Sequence, residues 1–328
     1  MRYPAVTGEI TRSWRAAAAL LLVGLLAVGC GGVDDGSELP PAVRGEGESW
    51  PTLPDDGTAR AVTTPSGQTL PVLADNGDGT HVVETPCSNQ ATVSGTPLAG
   101  AHVVLDPGHG GEESGAVGPN GLREADVNLA VAQRAAETLQ AAGATVVLTR
   151  TSDVRITLAA RANLAQALQP AAFLSLHHNT EPDGPSDRPG SEVYFQIADP
   201  ESQRLAGLLH EELLAAFDDF AVPWVSDTGA GALARVRSDD PNVDYYGVLR
   251  QSAGVPAVLA EAAYLSNPAE ADLLATPGFQ QVEADAIARA IVRFVSTDDP
   301  GSGFAANRVG GSSGPGGGTA GCEDPPLG

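Results

Sequence analysis

The stretch "VVLDPGHGG", residues 103–111, joins a short apolar, β-prone run to Asp-Pro and then to a histidine held between glycines. Its apolar start reads as a strand buried on both faces, as in a sheet covered by helices, and its end as a loop at the strand's carboxyl edge. The same grammar recurs downstream. Strand-like runs fall at 102–106, 144–149, 172–177, 191–196 and 255–261, with helical stretches at 125–142, 158–169, 201–217 and 279–295. This alternation predicts an α/β fold: a twisted, largely parallel or mixed sheet of about six strands flanked by helices. In such folds ligands bind beyond the carboxyl ends of strands. A glycine-rich turn there can cradle a phosphate, make a tight bend or hold a metal ligand.

The 328-residue chain is 42% hydrophobic, enough for one sizeable core and one catalytic-size domain with extensions. Its 18 basic residues are all arginine, set against 41 acidic ones, for a net charge of -23. No basic patch is visible, which argues against a nucleic-acid partner. The absence of lysine removes Schiff-base and P-loop chemistry.

Residues 1–29 read as an export signal. Arg12 and Arg15 precede an apolar run at 16–28, too short to span a bilayer in comfort. The run ends in "LAVGC", similar to a bacterial lipoprotein signal in which the cysteine, here Cys30, is acylated and anchors the chain to a membrane. Without acylation the same segment implies ordinary secretion. Either route is extracytoplasmic. Residues 30–58 are Gly, Pro and acid, a flexible tether. Residues 59–98 read as a β-hairpin extension turning at "ADNGDG", residues 99–298 as the catalytic domain, and 299–328 as a Gly/Ser-rich tail. In an oxidising compartment the remaining pair, Cys87 and Cys322, is expected to close a disulfide; two unpaired thiols are the alternative.

Polar residues gather at the predicted strand ends: His109 after the first, His177 and His178 after the third, Glu261 at the end of the fifth, and Glu124 at the mouth of the first long helix. Histidines and carboxylates on one sheet edge suit zinc with a spare carboxylate. Glu124 could instead be a helix N-terminal charge. Consecutive residues on an extended chain point opposite ways, so one of His177 and His178 faces the metal. A glutamate in a nearly apolar strand is costly to bury without purpose. Asn179 could orient substrate or stop the strand, and Arg250 could pair a substrate carboxylate or a surface acid. His210 opens "HEELL", with Leu214 where a zincin has its second histidine, and reads as helix surface. His81 and His102 read as structural or exposed.

Five segments, "VVLDPGHGG", "GLREADVNLAVA", "VVLTRTSDVRITLAARANLA", "FLSLHHN" and "VPAVLAEAAYLSN", occur in an order that resembles zinc-dependent N-acetylmuramoyl-L-alanine amidases of the amidase 3 family. The likeness covers about 101–295 and is nearest to actinobacterial members with a single catalytic domain. It implies a peptidoglycan or muropeptide substrate, a Zn²⁺ cofactor, and cleavage of the amide between the lactyl group of N-acetylmuramic acid and L-alanine. By the same resemblance His109, Glu124 and His177 are the zinc ligands, and Glu261 is the catalytic carboxylate. The family pattern serine, apolar residue, histidine, any residue, asparagine selects His177. It leaves His178 to line a substrate groove or face outward. Asn128, Arg150, Arg161 and Asn163 match family positions with supporting roles, while "AAYLSN" departs from the usual residues after the glutamate and bears on pocket shape. The reaction needs an activated water, a polarised carbonyl and a proton for the leaving amine. Zinc with three protein ligands keeps one position open for this, and a glutamate can carry the proton. A catalytically silent peptidoglycan-binding lipoprotein and a zinc carboxypeptidase acting on stem peptides are the alternative readings.

Overall fold

The computed structural model describes residues 49–181, 184–187, 190–221, 231–312 and 318–328. The export signal, Cys30 and most of the tether lie outside these residues. Among the described residues no helix is long and apolar enough to cross a membrane.

The segment expected to form one hairpin forms a five-stranded antiparallel sheet. Its strands are β1 (Ala61–Thr63), β2 (Thr69–Asp75), β3 (Thr80–Glu84), β4 (Gln90–Ser94) and β5 (Thr96–Leu98), in the order β4-β3-β2-β1-β5. The "ADNGDG" turn does connect β2 to β3, where the Asp75 and Asp78 side chains accept from the amides of Gly77 and Thr80. The other strands are three to five residues long, too short for a periodic signal.

The catalytic-size domain follows as β6 (Val103–Pro107), α1 (Glu124–Ala141), β7 (Val146–Leu148), α2 (Leu158–Leu168), β8 (Ala172–Asn179), β9 (Glu192–Phe195), α3 (Pro200–Phe217), β10 (Ala232–Leu233), β11 (Arg235–Val236), α4 (Gly247–Gln251), β12 (Ala257–Tyr264), α5 (Pro268–Leu274) and α6 (Pro277–Ser296), with β13 (Arg308–Val309) beyond it. Six strands make a mixed sheet in the order β10-β9-β12-β8-β6-β7; only β9 against β12 is antiparallel. Pro at N1 starts α3, α5 and α6, each capped by Asp199, Asn267 or Thr276.

Strand alternation divides the core into two layers. Val103, Leu105, Leu174, Leu176, Val258 and Ala260 pack with residues of α1, α3 and α6, whereas Val104, Phe173, Ala257 and Leu259 pack with residues of α2 and α4. Each fully buried Leu or Phe contributes about 1.5–3 kcal/mol. Parity then decides the site. His177 and Glu261, partners in register across β8 and β12, fall on the α2/α4 side, and His178 falls on the other.

The stretch read as a tail is in part built into the fold. Amides of Ala305, Arg308 and Gly310 donate to the carbonyls of Ala232, Ala234 and Val236, so residues 305–310 run along the outer side of β10 and β11. This pairing supplies the partners an exposed strand edge lacks. Farther on, Arg155 donates to the carbonyls of Gly318 and Ala320, and Asp324 accepts from Thr85, Asn89 and the Cys87 amide. Cys87 and Cys322 form a disulfide with their Cα atoms 5.5 Å apart across a sequence separation of 235. Replacing both cysteines with serine is expected to cost about 2–4 kcal/mol, because the unfolded chain regains the freedom that the cross-link removes. The drop in melting temperature, with faster proteolysis within 318–328, checks this; an unchanged melting temperature would show that the Asp324 contacts suffice.

Candidate metal centre and its cavity

The loop after β6 brings His109 to the sheet edge at a cost. His109 has φ +61°, a left-handed conformation uncommon for a residue with a side chain. Neighbouring glycines make it possible by close approach. A Cβ on Gly108 would lie 2.2 Å from the His177 ring, and one on Gly115 would lie 2.5 Å from Glu124 Oε2. Two wholly buried arginines hold this backbone. Arg150 donates to the carbonyls of Pro107, Gly108 and Ala125, and Arg161 to those of Pro107, His109 and Ile156. Asp106 joins them from β6. It lies 2.5 Å from Arg161 Nη1 and accepts from the hydroxyls of Thr149 and Ser175. Burial alone would raise the Asp106 pKa, but the charge of Arg161 and these hydroxyls outweigh it and hold the carboxyl below the ordinary 3.8.

Glu124 opens α1, and its buried carboxylate is the meeting point. Oε2 accepts from the Ala116 amide, while Oε1 lies 3.2 Å from His109 Nε2 and 2.9 Å from His177 Nδ1. Burial opposes its charge, yet the hydrogen bonds and charges of the two imidazoles keep its pKa well below the usual carboxylate value. Burial lowers the pKa of His177, which favours the neutral ring. One atom from each of His109, Glu124 and His177 lies within 4.8 Å of the others, two nitrogens and an oxygen of the kind zinc takes. That donor set fits a divalent cation.

The centre opens into a cavity of about 710 Å³, lined also by Glu261, Asn179, Arg235 and Tyr246. Glu261 Oε2 is buried with no hydrogen-bond partner among the described residues. Burial, then the charges of Glu124 and Glu192, push the Glu261 pKa well up, against the pull of Arg235. Burial and the charge of Glu261 likewise raise the Tyr246 phenol, which stays protonated. Beside Glu261, its partner in register on β9, Glu192, is wholly buried and its carboxylate is fully engaged: Arg308 Nη1 lies at 2.9 Å, and Asn179, Tyr194 and Tyr264 donate to it. Arg308 belongs to the segment read from sequence as tail.

Of the residues offered as substrate contacts, His178 and Arg250 have side chains engaged by other parts of the fold. His178 is among the residues that line the cavity, but its imidazole does not face solvent. It is buried between Asn128 and Glu283 under α1 and α6, at 2.8 and 3.2 Å, as its strand parity requires. Arg250 donates to the carbonyls of Asp244 and Tyr245 and does not line the cavity, so it braces the turn before α4 rather than a ligand. Asn179 does border the cavity. His210, read as helix surface, is buried beside the segment at Gly303. His102 is structural: it stacks on Trp50, accepts from the Thr145 amide and bonds the Pro51 carbonyl. Asn163 donates to Glu84 and so ties α2 to the antiparallel sheet. Sequence reasoning missed Asp106, Glu192, Arg235 and Tyr246. Asp106 and Glu192 carried a usable signal, being acids inside apolar strands; Arg235 carried none.

A family model described as N-acetylmuramoyl-L-alanine amidase matches residues 103–293. The chain is 36% identical to the uncharacterized protein YqiI of Bacillus subtilis (strain 168) over 215 residues, 65% of this chain and 92% of that one. It is 33% identical to the N-acetylmuramoyl-L-alanine amidase LytC of the same organism over 210 residues, 63% of this chain but only 38% of LytC. Among solved structures, the catalytic domain of CwlV, an N-acetylmuramoyl-L-alanine amidase from Bacillus (Paenibacillus) polymyxa var. colistinus, superposes with a TM-score of 0.50 at 31% identity, covering 60% of this chain and 98% of that one.

Proposed function

The chain belongs to the N-acetylmuramoyl-L-alanine amidase family, and from that premise we propose that it hydrolyses peptidoglycan or its fragments at the amide between the lactyl group of N-acetylmuramic acid and L-alanine. The observation that carries this reading is the convergence of His109, Glu124 and His177 beside the unpartnered Oε2 of Glu261 in one cavity. His109, Glu124 and His177 would hold zinc, which when bound polarises a carbonyl and lowers the pKa of water to about 7. Glu261 takes the proton of the attacking water at Oε2 and returns it to the departing nitrogen. Arg150 and Arg161 fix the loop that carries His109. Asn179 steadies Glu192 next to Glu261. We read residues 1–29 as the export signal and Cys30 as a lipid attachment point, so the enzyme would work outside the cytoplasm on wall remodelling or fragment turnover.

Mass spectrometry of a defined muramyl peptide, incubated with the zinc-loaded protein, tests the reaction. Free stem peptide and free muramic acid sugar are expected. Shortening within the peptide would make the protein a carboxypeptidase, and an intact substrate in the presence of bound zinc would make it a binding lipoprotein. Zinc titration should reach one equivalent per chain, and His177→Ala should weaken it.

A further inference from the structure

The cavity beside the candidate metal centre is strongly acidic. Asp106, Glu112, Glu113, Glu124 and Glu261 line it, against two arginines, Arg161 and Arg235. Arg161 is committed to Asp106 and to loop carbonyls. Arg235 has no carboxylate partner among the described residues. Its Nη1 donates to the Tyr246 hydroxyl at 3.1 Å, its Nε is buried without a partner, and Nη2 makes no hydrogen bond among the described residues. The side chain is nonetheless fixed in place. Its guanidinium stacks on the Tyr245 ring, 4.3 Å from the centroid, while its strand pairs with β13 and its carbonyl accepts from the Tyr245 amide. A held cation with spare donors is pre-organised for an anion, and a guanidinium fork suits a carboxylate.

We propose that Arg235 is the docking point for a carboxylate of the peptide part of the substrate, and so sets a preference for stems whose second residue is unamidated. This rests on the amidase reading. A muramyl stem carries its first free carboxylate on the D-glutamate next to L-alanine, and amidation to D-isoglutamine removes that charge. In a protein of net charge -23, with five acids lining the same cavity, an anionic peptide has few places to put its charge. Arg235 provides one. The role that the sequence offered to Arg250 therefore falls to an arginine fifteen residues earlier.

The test is a ratio: kcat/KM for N-acetylmuramyl-L-alanyl-D-glutamate over that for N-acetylmuramyl-L-alanyl-D-isoglutamine, each blocked at the γ-carboxyl as the methylamide so that they differ only in the α-carboxylate, measured with the zinc-loaded full chain. A charge-assisted pair is expected to favour the acid by about ten- to a hundredfold in the wild type. In Arg235→Gln the ratio should fall towards one, and in Arg235→Lys it should be intermediate. A wild-type ratio near one overturns the proposal without any variant being needed. So does a ratio that survives Arg235→Gln, as it would if Arg235 served only to support Glu261. If neither compound is cut, the amidase reading fails by itself. Calorimetric binding of L-alanyl-D-glutamate against L-alanyl-D-isoglutamine, both blocked at the γ-carboxyl as the methylamide, to wild type and to Arg235→Gln, then decides the carboxylate site by the same ratio.

Discussion

Glu261→Gln is expected to lower kcat on a muramyl peptide by roughly 10²–10⁴, the range for a positioned proton carrier, while leaving zinc stoichiometry and stability intact. Glutamine keeps the shape of the side chain and cannot accept and return a proton. The stability half of the expectation comes from the surroundings of the carboxyl. Oε2 is buried without a partner, and Glu124 and Glu192 add like charge to the burial that already disfavours ionisation. A neutral amide removes that repulsion, so the variant should melt at or above the wild-type temperature. Sites that hold an unfavourable group for chemistry show this trade of activity against stability. Two readings of the same variant therefore check the assignment. Retention of more than a tenth of kcat would remove Glu261 from proton transfer, and a fall in melting temperature that matched the loss of activity would make Glu261 structural.

How much of this was legible beforehand depended on the kind of signal. The sheet was readable because β6, β8 and β12 are buried on both faces and so are largely apolar. The metal-centre residues were findable because histidines and acids at strand ends break such runs. Strand parity separated His177 from His178 in principle, yet it did not say what lay behind the sheet. The Asn128 and Glu283 partners of His178 come from helices 50 and 105 residues away. Arg235 and Arg250 look alike in sequence. They differ only because the turn before α4 folds back, placing Arg250 over its own carbonyls and Arg235 in the cavity. The segment holding Arg308 is poor in apolar residues, so periodicity misses it. It is held by backbone pairing along β10 and β11 and by an ion pair to Glu192, neither of which leaves a local pattern.

Arg161→Met should be the most damaging single change away from the cavity's reacting groups, at about 3–5 kcal/mol of stability, because it leaves Asp106 buried without its countercharge. The sign with pH follows. In the wild type the Asp106 pKa is depressed, so the pair contributes fully above the ordinary carboxylate value of 3.8 and fades as pH falls through the lower folded value. In Arg161→Met burial has no opponent of that size and the folded pKa should rise. The variant should then lose less stability relative to wild type as pH is lowered, a narrowing gap in melting temperature between pH 8 and 4. Adding Asp106→Asn separates two roles of the arginine. The amide keeps acceptor and donor groups for Thr149 and Ser175 without a charge, so most of the lost stability should return. Zinc affinity should not. The His109 carbonyl still lacks its arginine donor and that of Pro107 keeps only Arg150, and loss of such support to a metal ligand typically weakens binding 10–100-fold. A double variant that regains stability and zinc affinity together would show that Arg161 acts only as the partner of Asp106; regained stability with weak zinc binding would establish that the left-handed His109 is held in place from behind.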